Sequence, residues 1–173
     1  MCVASLALMN TSLPLLALSL VAFPASAYFQ PSVQSNPLVG TWTLVAADKI
    51  LTNGQQVHDY GTDPQGLAIL TADGHYVVEI FRSDRTKFVS GDRNKGTADE
   101  YKDAVLGTSC HFGRYTIDPT KNTISFYIER ASFPNWDNTT RTSPFKLEGN
   151  QLTWRLPPRP DGSIPVSIFK RLQ

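Results

Sequence analysis

From Asn36 onward, apolar and polar residues alternate in short runs, and the runs are separated by the dipeptides Asn53-Gly54, Asp73-Gly74, Asp118-Pro119 and Gly149-Asn150. Alternation with a period of two is the mark of a half-buried strand, and such dipeptides are hairpin turns. The pattern predicts strands near 38–51, 55–60, 66–71, 75–82, 109–118, 123–131, 139–148, 151–156 and 165–172. One helix is expected among them. Thr97 followed by Glu100 forms a capping box, the run Ala98 to Leu106 suits a helix, and Gly107 stands where a C-terminal cap belongs.

Register follows from asking which pairing gathers the apolar residues on one face, because a slip of one residue sends the whole set to the other side. A two-residue loop at Asp73-Gly74 sets Thr71 against Tyr76, Ile69 against Val78, Leu67 against Ile80 and Gln65 against Arg82. A loop over 119–122 sets Ile117 against Ile124, Tyr115 against Phe126, Gly113 against Ile128 and His111 against Arg130. A loop at Gly149-Asn150 sets Leu147 against Leu152, Phe145 against Trp154 and Ser143 against Leu156, with Arg141 continuing that face. Each hairpin is apolar on one side until its far end.

The tight turns fall at one end of such an array, so the long connections 83–108, 132–138 and 157–164 gather at the other. Closure removes the exposed edges of a many-stranded antiparallel sheet. The expected fold is therefore all-β: a closed up-and-down barrel of about eight to ten strands with one short helix. Barrels of this size are filled by side chains or hold one small ligand.

Composition narrows the function. The chain has 173 residues, 16 basic against 15 acidic, so no basic field is available for a nucleic-acid backbone. Residues 1–27 read as a signal peptide: an apolar run from Leu13 to Phe23, then Pro24 and the small-residue pattern Ala25-Ser26-Ala27, with cleavage between Ala27 and Tyr28. The expected product is a secreted protein, periplasmic in a bacterial host, without a stable membrane anchor. It would consist of a short segment, 28–35, and one domain over 36–173. Removal of the signal takes Cys2 with it and leaves Cys110 without an intramolecular disulfide partner. Asn138-Thr139-Thr140 is an acceptor sequence for glycosylation at Asn138.

The same register places Arg82, His111, Arg130 and Arg141 at the open end, facing inward. Guanidiniums and an imidazole over an apolar cavity suit an amphiphile with a carboxylate, phenolate or enolate head. The apolar part would lie against Leu67, Ile69, Val78, Ile80, Phe126, Ile128, Phe145 and Trp154. The stretch "SFPNW" puts Phe133 and Trp136 in a connection between strands, where they form either a lid, together with Phe88, or a plug that fills the barrel. If the protein is an enzyme, His111 is the candidate acid or base, with Arg130 holding it neutral, and Arg82, Tyr115 and Arg141 are candidate donors to an oxyanion. No metal-binding spacing, paired cysteines or glycine-rich phosphate loop occurs, so neither metal nor cofactor is expected.

The segments "LVGTWTLV", "PQGLAILTADGHYVVEI", "SGDRNKGTADEYKDAV", "HFGRYTID" and "SFPNWDNTTRTSPFKLEGNQLTWRLPP", in that order, resemble the lipocalin-like domain family of bacterial and fungal proteins. The resemblance runs from about Asn36 to Leu172 and implies a calycin-type barrel with a central cavity. It also implies that Gly40 and Trp42 close the barrel floor, with Lys170 or Arg171 stacked on the indole. Some fungal relatives lie among natural-product biosynthetic genes. That makes a cofactor-free isomerase, cyclase or pericyclase acting on a polyketide or terpenoid the alternative to a simple binder.

Overall fold

A computed structural model describes residues 36–172. The predicted signal peptide, its cleavage point at Ala27 and Tyr28, and the segment 28–35 lie outside the described residues. Among the described residues there are nine strands: β1 (Gly40–Ile50), β2 (Gln56–His58), β3 (Gln65–Leu70), β4 (His75–Phe81), β5 (Thr108–Asp118), β6 (Thr123–Ala131), β7 (Thr139–Glu148), β8 (Gln151–Arg155) and β9 (Ile164–Arg171). All neighbouring pairs are antiparallel. The order is β2-β1-β3-β4-β5-β6-β7-β8-β9, and β1 also pairs with β9, which closes eight strands into a barrel. The short β2 pairs with the far half of β1, beyond the part that meets β3.

The helix α1 (Ala98–Leu106) forms as its capping box predicts: Thr97 Oγ1 accepts from the Glu100 amide, and Glu100 accepts from the Thr97 amide. It buries no side chain of its own. It is tied to the barrel by Asp103, which accepts from Arg82 and from the Thr86 amide.

Two local features alter the expected register. The β3–β4 turn holds three residues rather than two, since the Thr71 amide donates to His75 O and the Gly74 amide donates to Thr71 O. Gly74 has φ +86°, a left-handed conformation that suits glycine and completes this type of three-residue hairpin. The extra residue moves β3 by one against β4: Ala68 pairs with Val78, and Leu70 with Tyr76. Ala68 and Leu70 therefore enter the core, while Leu67 and Ile69, expected inside, lie on the outer face.

The second feature is a bulge in β6. Gly113 pairs with Ile128 as predicted, but Phe112 then pairs with Arg130, leaving Glu129 as an extra residue. This reverses the alternation beyond the bulge. Arg130, expected at the mouth facing inward, shares the outward face of Phe112 and is 63% exposed. The β7–β8 hairpin keeps its predicted register, with Phe145 opposite Trp154 and Leu147 opposite Leu152.

The half of the barrel nearest the tight turns is filled. Trp42, Leu38, Leu70, Ile124, Leu152 and Phe169 are essentially inaccessible. Trp42 donates from Nε1 to Leu38 O, and the Arg171 guanidinium stacks over its ring at 4.0 Å while donating to Val39 O and Pro37 O. Gly40 permits this approach, because a Cβ there would stand 2.7 Å from Arg171 Nη1. Above this layer Tyr76, Phe126, Trp154 and Phe169 make a continuous aromatic tier, with ring centroids 4.7, 5.5 and 4.6 Å apart along the series.

Candidate functional site

On the aromatic tier stands a cavity of about 400 Å³, open toward the long connections. Its inner wall comes from Val78 and Ile80 of β4, Trp154 of β8 and Ala47 of β1. Alternation along β5 and β7 also turns His111, Ser109 and Arg141 inward. The rim consists of Trp136, the dipeptide Asp59-Tyr60, and the run from Leu156 to Pro160.

The short 3-10 helix Pro134–Trp136 brings the loop indole to this rim. Three hydrogen bonds hold the loop in place. The Ala131 amide donates to Asp137 Oδ1, the Ser132 amide donates to Cys110 O, and Thr139 Oγ1 donates to Trp136 O. Phe133 stands edge-on to Trp136 at 5.5 Å and remains partly in solvent. Trp136 is therefore a wall of an open site, and the residues that plug the barrel are those of the opposite half.

Two polar groups dominate one side. The Arg141 guanidinium lies over the Trp136 ring at 3.9 Å, half-buried and without a carboxylate partner among the described residues. Burial depresses its pKa, but a guanidinium stays protonated in proteins. His111 lies next to it, with Nδ1 2.9 Å from the Tyr76 hydroxyl. Burial, reinforced by the Arg141 charge, pushes the His111 pKa down to about 4, so the ring is neutral at physiological pH. Burial also pushes the Tyr76 phenol far above its ordinary value, which keeps its proton on.

The opposite side carries an ion triad. Asp59 lies 2.9 Å from Lys49 Nζ and 2.6 Å from Arg159 Nη2. Burial alone would raise the Asp59 pKa, but the hydrogen bonds from Arg159 and Lys49 outweigh it and hold the carboxyl below the usual range. Arg159 thereby fastens the proline-rich run 157–160 across the barrel rim. Tyr60, partly buried beside it, has its pKa raised by that burial.

Of the residues singled out in the sequence, His111, Arg141, Val78, Ile80, Trp136 and Trp154 line the cavity. Phe126 and Ile128 are buried in the barrel interior, and Phe145 is partly buried against the core. Arg82 does not reach the mouth. It stands beyond the last residue of β4 and is bound to Asp84 and Asp103. Tyr115 lies at the closed end, where its hydroxyl accepts from Asn36 and donates to Thr71 O. Phe88 packs edge-on against Tyr101 near the helix rather than over the cavity. Burial is the main reason that His111 is neutral, and the charge that reinforces it belongs to Arg141, not to Arg130. Asn138 is exposed, in a left-handed conformation with φ +57°. Cys110 is half-buried, and burial followed by the nearby Glu79 raises its thiol pKa.

The sequence reading missed Asp59, Tyr60, Ser109, Arg159 and Ser167. Ser109 and Ser167 continue the inward alternation of their strands and were legible on that ground. The Asp59–Arg159 pair joins residues distant in sequence and left no local signal. Among the described residues, no group of three or more His, Cys, Asp or Glu side chains is placed to hold a metal, and no helix is long and apolar enough to cross a membrane.

The lipocalin-like domain family matches residues 39–169. The chain belongs to that family. Among solved structures, a lipocalin-like protein from Bacteroides uniformis is 15% identical, with a TM-score of 0.42 over 78% of this chain and 98% of that one. An uncharacterized protein from Bacteroides eggerthii is 16% identical, with a TM-score of 0.37 over the same shares. No curated protein matches the sequence. Membership in the lipocalin-like family makes this a ligand-binding type of barrel, and Arg171 takes the place over Trp42 that the resemblance left open between Lys170 and Arg171.

Proposed function

We propose that this lipocalin-like protein binds a small amphiphilic anion in the upper half of its barrel. The observation that carries the reading is Arg141: a half-buried cation in a cavity whose inner wall is apolar, stacked on Trp136 and lacking a carboxylate partner among the described residues. Removing a charge from water is costly unless another group compensates it, and an anionic ligand would supply that group. The apolar body of the ligand would rest on Val78, Ile80 and Trp154, whose burial supplies the larger share of affinity.

Native mass spectrometry of the protein from its own host, followed by denaturing extraction, tests the reading. The expected result is a retained small molecule bearing an acidic or enolic group. An empty protein that also fails to bind any aromatic or aliphatic acid probe overturns it.

The Tyr76–His111 hydrogen bond favours a second reading. A neutral imidazole backed by a phenol can exchange a proton with a bound carbonyl or enol, and Arg141 would stabilise the oxyanion. This is the chemistry of a cofactor-free isomerase or cyclase. Under this reading, replacing His111 abolishes turnover of the recovered ligand while leaving its binding largely intact.

The reading includes secretion, with cleavage between Ala27 and Tyr28 and, in a host that glycosylates, a sugar on the exposed Asn138. N-terminal sequencing and mass measurement of the extracellular protein test both points.

A further inference from the structure

We propose that the cavity selects flat, ring-containing acids over long-chain acids and over neutral rings of the same shape. The inference rests on the binding reading above and adds the chemical class of the ligand.

The first argument is depth. The tier of Tyr76, Phe126, Trp154 and Phe169 crosses the barrel, and fully buried side chains fill the space beneath it. A long alkyl chain needs a channel along the barrel axis, and here the axis is blocked. What remains is a compact chamber of about 400 Å³. Its walls are flat and stiff: the rings of Trp154 and Trp136, with Pro157, Pro158 and Pro160 at the rim. Ring systems gain offset stacking and edge contacts on such walls, and they lose little rotational freedom on binding.

The second argument is the hydrogen-bonding character of the polar side. Tyr76 is buried, and its hydroxyl has no partner other than His111 Nδ1 among the described residues. If Nδ1 carried the proton, the phenolic O–H would be left without an acceptor, so the hydroxyl donates to Nδ1 and the ring proton sits on Nε2. His111 therefore offers the cavity a donor. Arg141 beside it is donor-only by chemistry. Two donors on one side of the cavity, one of them a cation, favour a carboxylate, phenolate or enolate oxygen over the weaker acceptor of a neutral alcohol.

Equilibrium titration with three probes tests this: naphthoate, its neutral counterpart naphthylmethanol, and palmitate, read by quenching of tryptophan fluorescence and checked by calorimetry. Naphthoate is expected to bind about tenfold or more tighter than either of the others. In Arg141→Met the advantage of naphthoate over naphthylmethanol should collapse toward unity with the alcohol's affinity unchanged. In Tyr76→Phe it should shrink several-fold, and nitrogen-15 NMR of the wild-type protein should show the His111 proton on Nε2. Preference for palmitate overturns the ring selectivity while leaving the binding reading intact. Equal affinity for naphthoate and the alcohol, or a proton on Nδ1, overturns the donor side. Failure of all three probes overturns the ring-acid selectivity, and together with an empty protein from the native host it overturns the binding reading as well. The wild-type titrations alone decide the matter if a variant does not fold.

Discussion

Two tryptophan–arginine stacks stand at opposite ends of this barrel, and their surroundings give them different uses. At the floor Arg171 lies 4.0 Å over Trp42, and its guanidinium donates to the carbonyls of Val39 and Pro37. At the mouth Arg141 lies 3.9 Å over Trp136, with its donors unclaimed by any carboxylate among the described residues. Stacking geometry is nearly the same, so the cation–π attraction does not distinguish them. Satisfaction of the remaining donors does. The floor stack is a closed structural unit that holds the chain ends of the domain together, whereas the mouth stack is an incomplete one that a ligand can complete.

Replacing each indole should break the comparison most visibly. Trp42→Ala removes a fully buried ring together with the seat of Arg171, and urea unfolding should report a loss of about 3–5 kcal/mol. Trp136→Ala removes a partly buried ring from a loop, with an expected loss of about 1 kcal/mol and a much larger effect on ligand affinity. Comparable losses at the two sites would mean that the mouth is as structural as the floor.

The pH dependence sharpens the contrast next. His111 titrates at about 4 in the folded protein against 6.5 in the unfolded chain, so between those values the unfolded state binds more protons. Its contribution is therefore fully present above about pH 6.5 and is lost as pH falls toward 4, by up to about 3 kcal/mol. Urea midpoints measured across this range should fall more steeply in the wild type than in His111→Phe. Carboxylates such as Asp59 titrate lower and remain common to both proteins, so the difference between the two curves isolates His111.

A smaller effect is expected from Asp59→Asn, which leaves Lys49 and Arg159 without their shared carboxylate. A loss of about 1–2 kcal/mol by urea unfolding should accompany faster amide exchange over residues 159–163, because Arg159 no longer fastens that run. The smallest effect belongs to Arg130→Ala. This exposed side chain on the outer face should change neither stability beyond about 0.5 kcal/mol nor affinity for an anionic probe. A large loss of probe affinity in this variant would return Arg130 to the mouth.

Arg130 shows where a reading of the sequence loses its hold on the site. Strict alternation from the Asp118–Thr123 turn puts Arg130 inside, and it does so correctly for Phe126 and Ile128. The bulge at Glu129 then inverts the phase. A single unpaired residue has no signature in the hydrophobic pattern; the local mark is Gly113 opposite it, where a Cβ would stand 2.9 Å from the Glu129 amide nitrogen. The same holds for Leu67 and Ile69, where Asp73-Gly74 reads equally well as the centre of a two-residue turn or the end of a three-residue one. Arg141 faces inward, as the register predicts, because the Gly149-Asn150 turn fixes the hairpin and no bulge interrupts β7.

The sequence by itself determined the class of fold, the nine strands and the capped helix, and which end of the barrel receives the long connections. These follow from period-two alternation, turn residues and capping, all of which act within a few residues of one another. It also marked His111, Arg141 and Trp136 as candidates for the mouth. Only the tertiary structure decided which candidates meet. The unpartnered state of Arg141, the Tyr76–His111 hydrogen bond and the Asp59–Arg159 tie all depend on strands or loops brought together by closure of the sheet. Closure also decided that the lower half is filled and the upper half open, because that outcome depends on how side chains from all eight strands divide one enclosed volume.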